Sequence, residues 1–272
     1  MPTLRVDGAE LHYSRDGERG PAVLMVMGMA GRGAGWRPLV ERLRQDHQLV
    51  FFDNRGIGKS EAGVGGLSMQ GMATDTLALL DHLGWGQAHV VGVSMGGMIA
   101  QELALMATER VRSLSLLATT AHGADSTRLR LSLALTMARS VWGTRNSRLR
   151  ALAEMLYSET FRAEIDIEEL NRELSSRFGR APLITLMAQR RAITGHDTRE
   201  RLYKLSALPA LIVRPGRDRL IDPVQSDRIK QLMPHAELMD LPNAGHAVFV
   251  EQADKVATAI RKLISQAESQ EL

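Results

Sequence analysis

Residues 89–97 read His-Val-Val-Gly-Val-Ser-Met-Gly-Gly, and this stretch decides how the chain folds. Its first five residues are mostly apolar and β-branched, which predicts a buried strand, and helical spacing begins at residue 95. The motif G-x-S-x-G at a strand-to-helix turn needs small neighbours so that the strand and the helix can meet closely. The pattern therefore predicts that Ser94 projects above a sheet at a helix N-terminus. Taken alone, the segment favours the simpler interpretation of a helix-capping serine in a tight turn, and the rest of the chain reverses that preference.

The same alternation of strand and helix patterns continues on both sides of this stretch. Short apolar runs predict strands at residues 23–27, 49–52, 89–93, 113–118, 210–213 and 237–241, with an antiparallel edge at 3–6 and 10–14. Helical spacing lies between them, at residues 68–83, 95–106, 224–232 and 253–264. This order predicts an α/β fold with a mainly parallel eight-stranded sheet and helices on both faces.

The alternation stops between residues 121 and 205, where helical spacing dominates. The segment leaves after the predicted strand at 113–118 and returns before the one at 210–213, so it should lie over the carboxyl ends of the strands, where ligands bind in such sheets. We therefore predict a helical lid (cap) insertion at 121–205, on a core formed by residues 1–120 and 206–272. No repeat or low-complexity linker interrupts either part.

A serine hydroxyl becomes a nucleophile when a base takes its proton, and a third group must orient that base. His246 lies in the segment Asn-Ala-Gly-His after the last predicted strand, and the other histidines fall elsewhere in the pattern. Asp218 follows the strand at 210–213 and is the predicted acid. Asp222 is the rival, but Asp-Pro at 222–223 is typical of a helix start. The order Ser94, Asp218, His246 is the one this kind of sheet uses.

The composition excludes several other kinds of chemistry. The 272 residues are 44% hydrophobic and 24% charged with a net charge of +3, as in globular proteins, and they include no cysteine. Disulfides and thiol catalysis are therefore excluded, and the dispersed histidines predict no metal site. The excess of basic residues in 121–205 is not a run of like charges, so we expect no nucleic-acid partner. No apolar run approaches the roughly 18 residues of a membrane span, and we expect a cytoplasmic protein without membrane attachment.

Two glycine-rich stretches imitate nucleotide-binding loops. Gly58-Lys59-Ser60 resembles the end of a phosphate-binding P-loop, but Asp53 stands where that loop requires glycine. The turn at 31–36 breaks the dinucleotide pattern G-x-G-x-x-G at Trp36. We therefore predict no cofactor.

From residue 10 to residue 264, outside the insertion, the sequence resembles the α/β-hydrolase superfamily, close to esterases, lactonases and cofactor-free perhydrolases. The resemblance rests on the Ser94 turn, on Met27-Gly28-Met29-Ala30-Gly31 and on the loop at 53–60. In that family a loop of the form His-Gly-x-x-Gly donates a backbone N–H to the oxyanion. The match implies that the N–H groups of Met29 and Met95 form the oxyanion hole, with Met27 replacing the usual histidine. The alternative is that both are core methionines. The loop at 53–60 is structural in the family.

The resemblance implies a carboxylesterase-like serine hydrolase that cleaves a small carboxylic ester or lactone through an acyl-enzyme. Relatives with the same triad cleave thioesters or carbon–carbon bonds or make peracids, and some bind small ligands without turnover, so these remain alternatives. We expect Trp142, Tyr157 and Phe161 of the insertion to contact the substrate, or else to pack its helices together.

Overall fold

The computed structural model describes residues 2–63, 67–127, 131–178 and 181–269. Within these ranges one sheet runs through the molecule. Its strands are β1 (Thr3–Val6), β2 (Ala9–Asp16), β3 (Ala22–Val26), β4 (Gln48–Phe52), β5 (Ala88–Val93), β6 (Val111–Leu117), β7 (Ala210–Pro215) and β8 (Glu237–Leu241). Each predicted strand is present, which confirms the predicted sheet.

The strand order is β1-β2-β4-β3-β5-β6-β7-β8. β1 and β2 form an antiparallel edge that joins β4, and all pairs from β4 to β8 are parallel. β5 lies between β3 and β6, and all six of its residues are buried. Covered on both faces, it reads as a continuous apolar run rather than an alternating pattern.

Helices cover both faces of this sheet. They are α1 (Arg37–Leu43), α2 (Met69–His82), α3 (Met95–Met106), α4 (Leu131–Trp142), α5 (Arg145–Leu156), α6 (Glu159–Glu164), α7 (Ile167–Arg177), α8 (Leu183–Thr194), α9 (Val224–Leu232), α10 (Val248–Glu251) and α11 (Ala253–Ser269). On β5, Val90 belongs to the apolar cluster formed with α2 and α3, whereas Val91 and Val93 belong to the cluster formed with α1 and α11. Each fully buried aliphatic side chain of these clusters contributes about 1.5–3 kcal/mol to folding.

Within the described residues, five helices, α4 to α8, lie between β6 and β7, in a part of the chain that we call the inserted segment (residues 121–205). Residues 128–130 and 179–180 of it lie outside the described ranges. The inserted segment contacts the loops that follow β8 and β3. Leu156 accepts a hydrogen bond from Ala247 N, after β8, and Gln189 accepts one from Ala30 N, after β3. These contacts place it at the carboxyl ends of the sheet; its action as a lid stays a prediction.

One buried histidine of the sheet predicts how stability depends on pH. The side chain of His89 on β5 is 2% exposed, and burial lowers its pKa to about 4. In the unfolded chain His89 takes up a proton near pH 6.5, whereas in the folded protein it stays neutral until about pH 4. The stabilisation is therefore complete above pH 6.5 and is lost as the pH falls from 6.5 towards 4.

We expect the free energy of unfolding to fall between pH 7.5 and pH 5 by about 2 kcal/mol more in the wild type than in His89→Gln, which has no titrating group there. Urea unfolding at the two pH values measures this difference. Equal losses in the two proteins would show that His89 is not the titrating group.

Candidate active site

Ser94 occupies a strained turn between β5 and α3. Its backbone has φ 55° and ψ −123°, a conformation that residues with a side chain rarely adopt. The turn is held because Ser94 N donates to Leu117 O at 2.9 Å and Thr119 Oγ1 donates to Ser94 O at 2.7 Å. Strain of this kind persists where the surrounding structure imposes it, and it is concentrated at functional sites.

Two of the flanking glycines are required by close backbone approaches. A Cβ atom on Gly96 would lie 2.0 Å from Val26 O, and one on Gly92 would lie 2.4 Å from Gly96 O. Gly28 passes close to the nucleophile candidate, since its Cβ would lie 3.1 Å from Ser94 Cβ. Residues 27–31, which are predicted to carry an oxyanion donor and which we call the oxyanion loop, therefore run directly beside Ser94.

Asp218 and His246 form a short, buried hydrogen bond. His246 Nδ1 lies 2.7 Å from Asp218 Oδ2, and the two side chains are 7% and 1% exposed. The other carboxylate oxygen of Asp218 accepts from the N–H groups of Leu220 and Ile221 at 2.8 and 2.9 Å. Because the carboxylate can only accept, Nδ1 carries the proton and Nε2 is left with a lone pair. No hydrogen bond joins Ser94 Oγ to His246 Nε2 within the described residues; such bonds often tighten only with substrate.

Asp222, the rival acid, has a different partner. Its Oδ1 accepts from Val224 N at 3.1 Å, at the start of α9. This is the helix-start role that Asp-Pro indicates. The structure thus brings Asp218, and not Asp222, to His246.

A partly buried carboxylate supports the loop that carries His246. Glu251 Oε1 accepts from Gly245 N at 3.1 Å and from Ser158 N at 2.8 Å, and its Oε2 accepts from Ser158 Oγ at 2.8 Å. Burial raises the pKa of Glu251, while these hydrogen bonds oppose the rise. Glu251 therefore joins the His246 loop to the start of α6 in the inserted segment. No local sequence pattern indicates this role of Glu251, because its partner Ser158 is distant in the chain.

The two N–H groups assigned to the oxyanion hole have no acceptor in the described part of the chain. Met95 is the first residue of α3, so its N–H has no partner in the helix. Met29 lies in the turn that the Gly31 N–H to Gly28 O bond closes at 3.2 Å, and its own N–H is unused within the described residues. Both groups are thus available to an external acceptor. The buried side chain of Met95 also belongs to the core, as the alternative proposed.

Met27 stands where the family resemblance implies histidine, and its side chain supports the oxyanion loop by packing. A Cβ on Gly31 would lie 2.6 Å from Met27 Cγ, and one on Gly35 would lie 2.9 Å from Met27 Cε. The carbonyl of Met27 accepts from Asn54 Nδ2 at 2.9 Å, and Asn54 is fully buried. The position therefore contributes shape and a backbone acceptor, and no titrating group.

The loop at 53–60 is held together by its own side chains. Both oxygens of Asp53 accept backbone N–H groups, from Gly33 at 2.7 Å and from Lys59 at 3.0 Å. Arg55 donates two hydrogen bonds to the buried Asp75, at 2.5 and 2.6 Å. These contacts are those of a structural loop. A cavity of about 210 Å³ beside Asp53 contains none of Ser94, Asp218 or His246.

The three aromatic residues expected to contact substrate have different surroundings. Trp142, at the end of α4, is 77% exposed, and its contact with a substrate stays a prediction. Tyr157 is 2% exposed, stacks on Phe161 with ring centroids 5.1 Å apart, and accepts from Arg177 Nη1 at 2.7 Å. Its burial raises its pKa to about 12. Tyr157 thus packs the inserted segment together, and the partly buried Phe161 packs with it.

Comparisons with known proteins agree with this architecture. The family model of the α/β-hydrolase fold matches residues 21–253. The chain is 32% identical over 252 residues to the "Putative carbamate hydrolase RutD" of Azorhizobium caulinodans, covering 91% of this chain and 92% of that one. It is 29% identical over 257 residues to the pimeloyl-(acyl-carrier protein) methyl ester esterase of Xanthomonas oryzae pv. oryzae, covering 90% and 96%. The structure of the enol-lactonase from Burkholderia xenovorans LB400 superposes on this chain with a TM-score of 0.84 and 23% sequence identity. The match covers 97% of this chain and 100% of the enol-lactonase chain.

A parallel sheet with an antiparallel edge, a strained serine turn at its centre and a late aspartate–histidine pair define a hydrolase scaffold. The chain belongs to the α/β-hydrolase family. This confirms the resemblance and the fold class predicted from the sequence. Among the helices that the structure describes, none combines the length and apolar character that crossing a membrane requires.

Proposed function

We propose that this protein is a serine hydrolase that cleaves a small carboxylic ester or lactone through an acyl-enzyme. The proposal rests on two features that occur together in this chain: the strained, glycine-flanked turn at Ser94 and the buried His246–Asp218 hydrogen bond of 2.7 Å. The first supplies a hydroxyl at the end of β5, and the second supplies an oriented base. Together they are the groups that acyl transfer to serine requires.

In the acylation step, Ser94 Oγ attacks the carbonyl carbon while His246 Nε2 takes the hydroxyl proton. Asp218 accepts the Nδ1–H bond, which fixes the tautomer and stabilises the imidazolium that forms. The carbonyl oxygen gains negative charge, and the N–H groups of Met29 and Met95 donate hydrogen bonds to it. Each preorganised donor of this kind lowers the barrier by about 3 kcal/mol.

Collapse of the tetrahedral intermediate breaks the bond to the leaving oxygen, which takes the proton from His246 and departs as the alcohol. In a lactone this alcohol stays attached to the acyl group. A water molecule then attacks the acyl-enzyme, His246 takes its proton, and the second intermediate releases the carboxylic acid and returns the proton to Ser94 Oγ. We further propose that the inserted segment is a lid over this site, since it contacts the loops after β3 and β8.

We propose esters and lactones as the substrate class because similar proteins that match most of this chain are named as an esterase and a lactonase. The methyl ester esterase is a 29% identical relative, and the enol-lactonase shares the fold. The 32% identical relative named as a carbamate hydrolase adds carbamates to the substrates worth testing. In all three classes an oxyanion forms next to an attacked carbonyl carbon.

Hydrolysis of p-nitrophenyl acetate, butyrate, octanoate and palmitate tests the proposal, with a lactone panel and a carbamate ester alongside. We expect turnover of the short esters, and its loss in Ser94→Ala and His246→Ala. A fluorophosphonate probe should label the wild type and leave Ser94→Ala unlabelled.

The fluorophosphonate probe distinguishes an error in the proposed substrate class from an error in the assigned nucleophile. Labelling without ester or lactone turnover would overturn the substrate class and direct attention to thioester or carbon–carbon bond cleavage or peracid formation. A folded wild type that the probe does not label would overturn the nucleophile assignment and favour a non-catalytic ligand receptor.

A further inference from the structure

The oxyanion loop, like the turn at Ser94, contains a residue with a strained backbone. Ala30 has φ 60° in the turn closed between Gly28 and Gly31, a position at which glycine is the usual residue. Alanine there needs outside support to keep the turn in this form. The direction of the Met29 N–H depends on this turn, since Met29 directly precedes Ala30.

The outside support comes from the inserted segment. Ala30 N donates to Gln189 Oε1 at 3.0 Å, across 159 residues of sequence. Gln189 lies on α8 and is 0% exposed. One buried side chain of the inserted segment therefore holds the backbone of the loop that carries a proposed oxyanion donor.

Helix α8 approaches the core at a second point besides Gln189. Thr185 precedes Gln189 by four residues and lies on the same face of the helix. A Cβ atom on Gly56 would lie 2.7 Å from Thr185 Cγ2, and Thr185 is 4% exposed. The helix therefore packs against the 53–60 loop at one turn and the oxyanion loop at the next.

The unpaired NH₂ group of Gln189 indicates that this side chain is not there for stability alone. Its Nε2 is buried and has no hydrogen-bond partner in the described part of the chain. A buried amide that makes one hydrogen bond and leaves its NH₂ group unpaired costs stability, and a methionine of similar size would fill the same space without that cost. The polar residue is therefore explained by the one contact it makes, to Ala30 N.

We propose that Gln189 is a positioning residue that holds the oxyanion loop through Ala30, so that the Met29 N–H keeps its direction towards the developing oxyanion. The inference rests on the proposed serine hydrolase function. It makes the inserted segment part of the catalytic machinery, because a residue of α8 controls the geometry of a donor on the core.

The test compares two buried glutamines. Gln189→Met removes the acceptor for Ala30 N and keeps the side-chain volume. Gln101→Met is the matched control, because Gln101 is also 0% exposed but its amide bonds to Thr120 O and Thr198 Oγ1, away from the oxyanion loop. Gln189→Glu keeps an acceptor oxygen. The readouts are kcat and KM for p-nitrophenyl butyrate, the fluorophosphonate labelling rate and Tm.

For Gln189→Met we expect kcat and the labelling rate to fall about tenfold and KM to stay within about twofold. Its Tm should change by less than that of the control, because the lost bond to Ala30 N is offset by removal of the unpaired Nε2 group. For Gln101→Met we expect Tm to fall by about 4 °C with kcat within about twofold, because both threonine partners lose a hydrogen bond. Gln189→Glu should have a kcat above that of Gln189→Met.

Two results would overturn the inference while the serine hydrolase proposal stands. One is a Gln189→Met variant with the kcat and labelling rate of the wild type. The other is a Gln189→Glu variant whose kcat is no higher than that of Gln189→Met. A folded wild type that neither turns over esters nor reacts with the probe would overturn the proposed function, and the inference would fall with it. The wild-type reaction with the probe therefore tells the two failures apart.

Discussion

Replacement of Ser94 by alanine is expected to lower kcat/KM for p-nitrophenyl butyrate by about 10⁴- to 10⁶-fold. The hydroxyl is the proposed nucleophile, and without it His246 and Asp218 have no proton to move, so only oriented binding and the oxyanion donors remain. Stopped assays with wild type and variant at equal concentration measure the ratio. A loss of less than tenfold would assign the nucleophile to another residue.

Ser94→Gly is expected to be equally inactive and more stable than Ser94→Ala. The backbone at this position has φ 55°, which alanine tolerates no better than serine, whereas glycine adopts it without steric strain. After allowing for the larger entropy of glycine in the unfolded chain, we expect a difference of about 1 kcal/mol in the free energy of unfolding, or roughly 3 °C in Tm. Calorimetry of the two variants measures it, and equal Tm values would contradict a strained turn.

Asp218→Asn is expected to lower kcat by about 10⁴-fold with little change in KM. The asparagine keeps the size of the side chain, but its amide can present N–H to His246 Nδ1 and so favour the tautomer whose Nε2 carries the proton. That tautomer cannot accept the proton of Ser94. Steady-state kinetics on p-nitrophenyl butyrate give the value.

Asp222→Asn is the matched control for this result. Asp222 lies four residues further along the chain and accepts from Val224 N at the start of α9, a contact that asparagine retains. We expect its kcat within about twofold of the wild type. A large loss in Asp222→Asn together with a small one in Asp218→Asn would reverse the assignment of the acid.

Much of the fold could be predicted because local patterns and core burial agree. The apolar run at 89–93 predicts a central strand since β5 is covered on both faces, and the structure places it between β3 and β6. The ends of the helices and strands differ from those that the sequence predicts. β6 begins at Val111, two residues before the prediction, and α11 continues to Ser269, because pairing and packing with distant residues decide where an element ends.

Local sequence patterns likewise indicate some residues of the candidate site and not others. Ser94, Asp218 and His246 could be selected because each follows a strand and carries chemistry that its loop alone makes recognisable. Trp142 was selected by residue type, which does not tell which face of a helix meets a pocket, and its side chain is 77% exposed. Gln189 and Glu251 carry no local pattern that distinguishes them from ordinary helix residues.

The sequence by itself determined the class of fold, the strained serine turn and the order of the three candidate residues, because glycine spacing and hydrophobic periodicity act over a few residues. Only the tertiary structure decided that Asp218 bonds to His246, that Glu251 holds the loop of His246, and that Gln189 holds Ala30. These are hydrogen bonds between residues 6 to 159 positions apart, and all but the nearest join separate elements. Their partners are set by how the inserted segment and the last strands pack on the sheet, which no local pattern records.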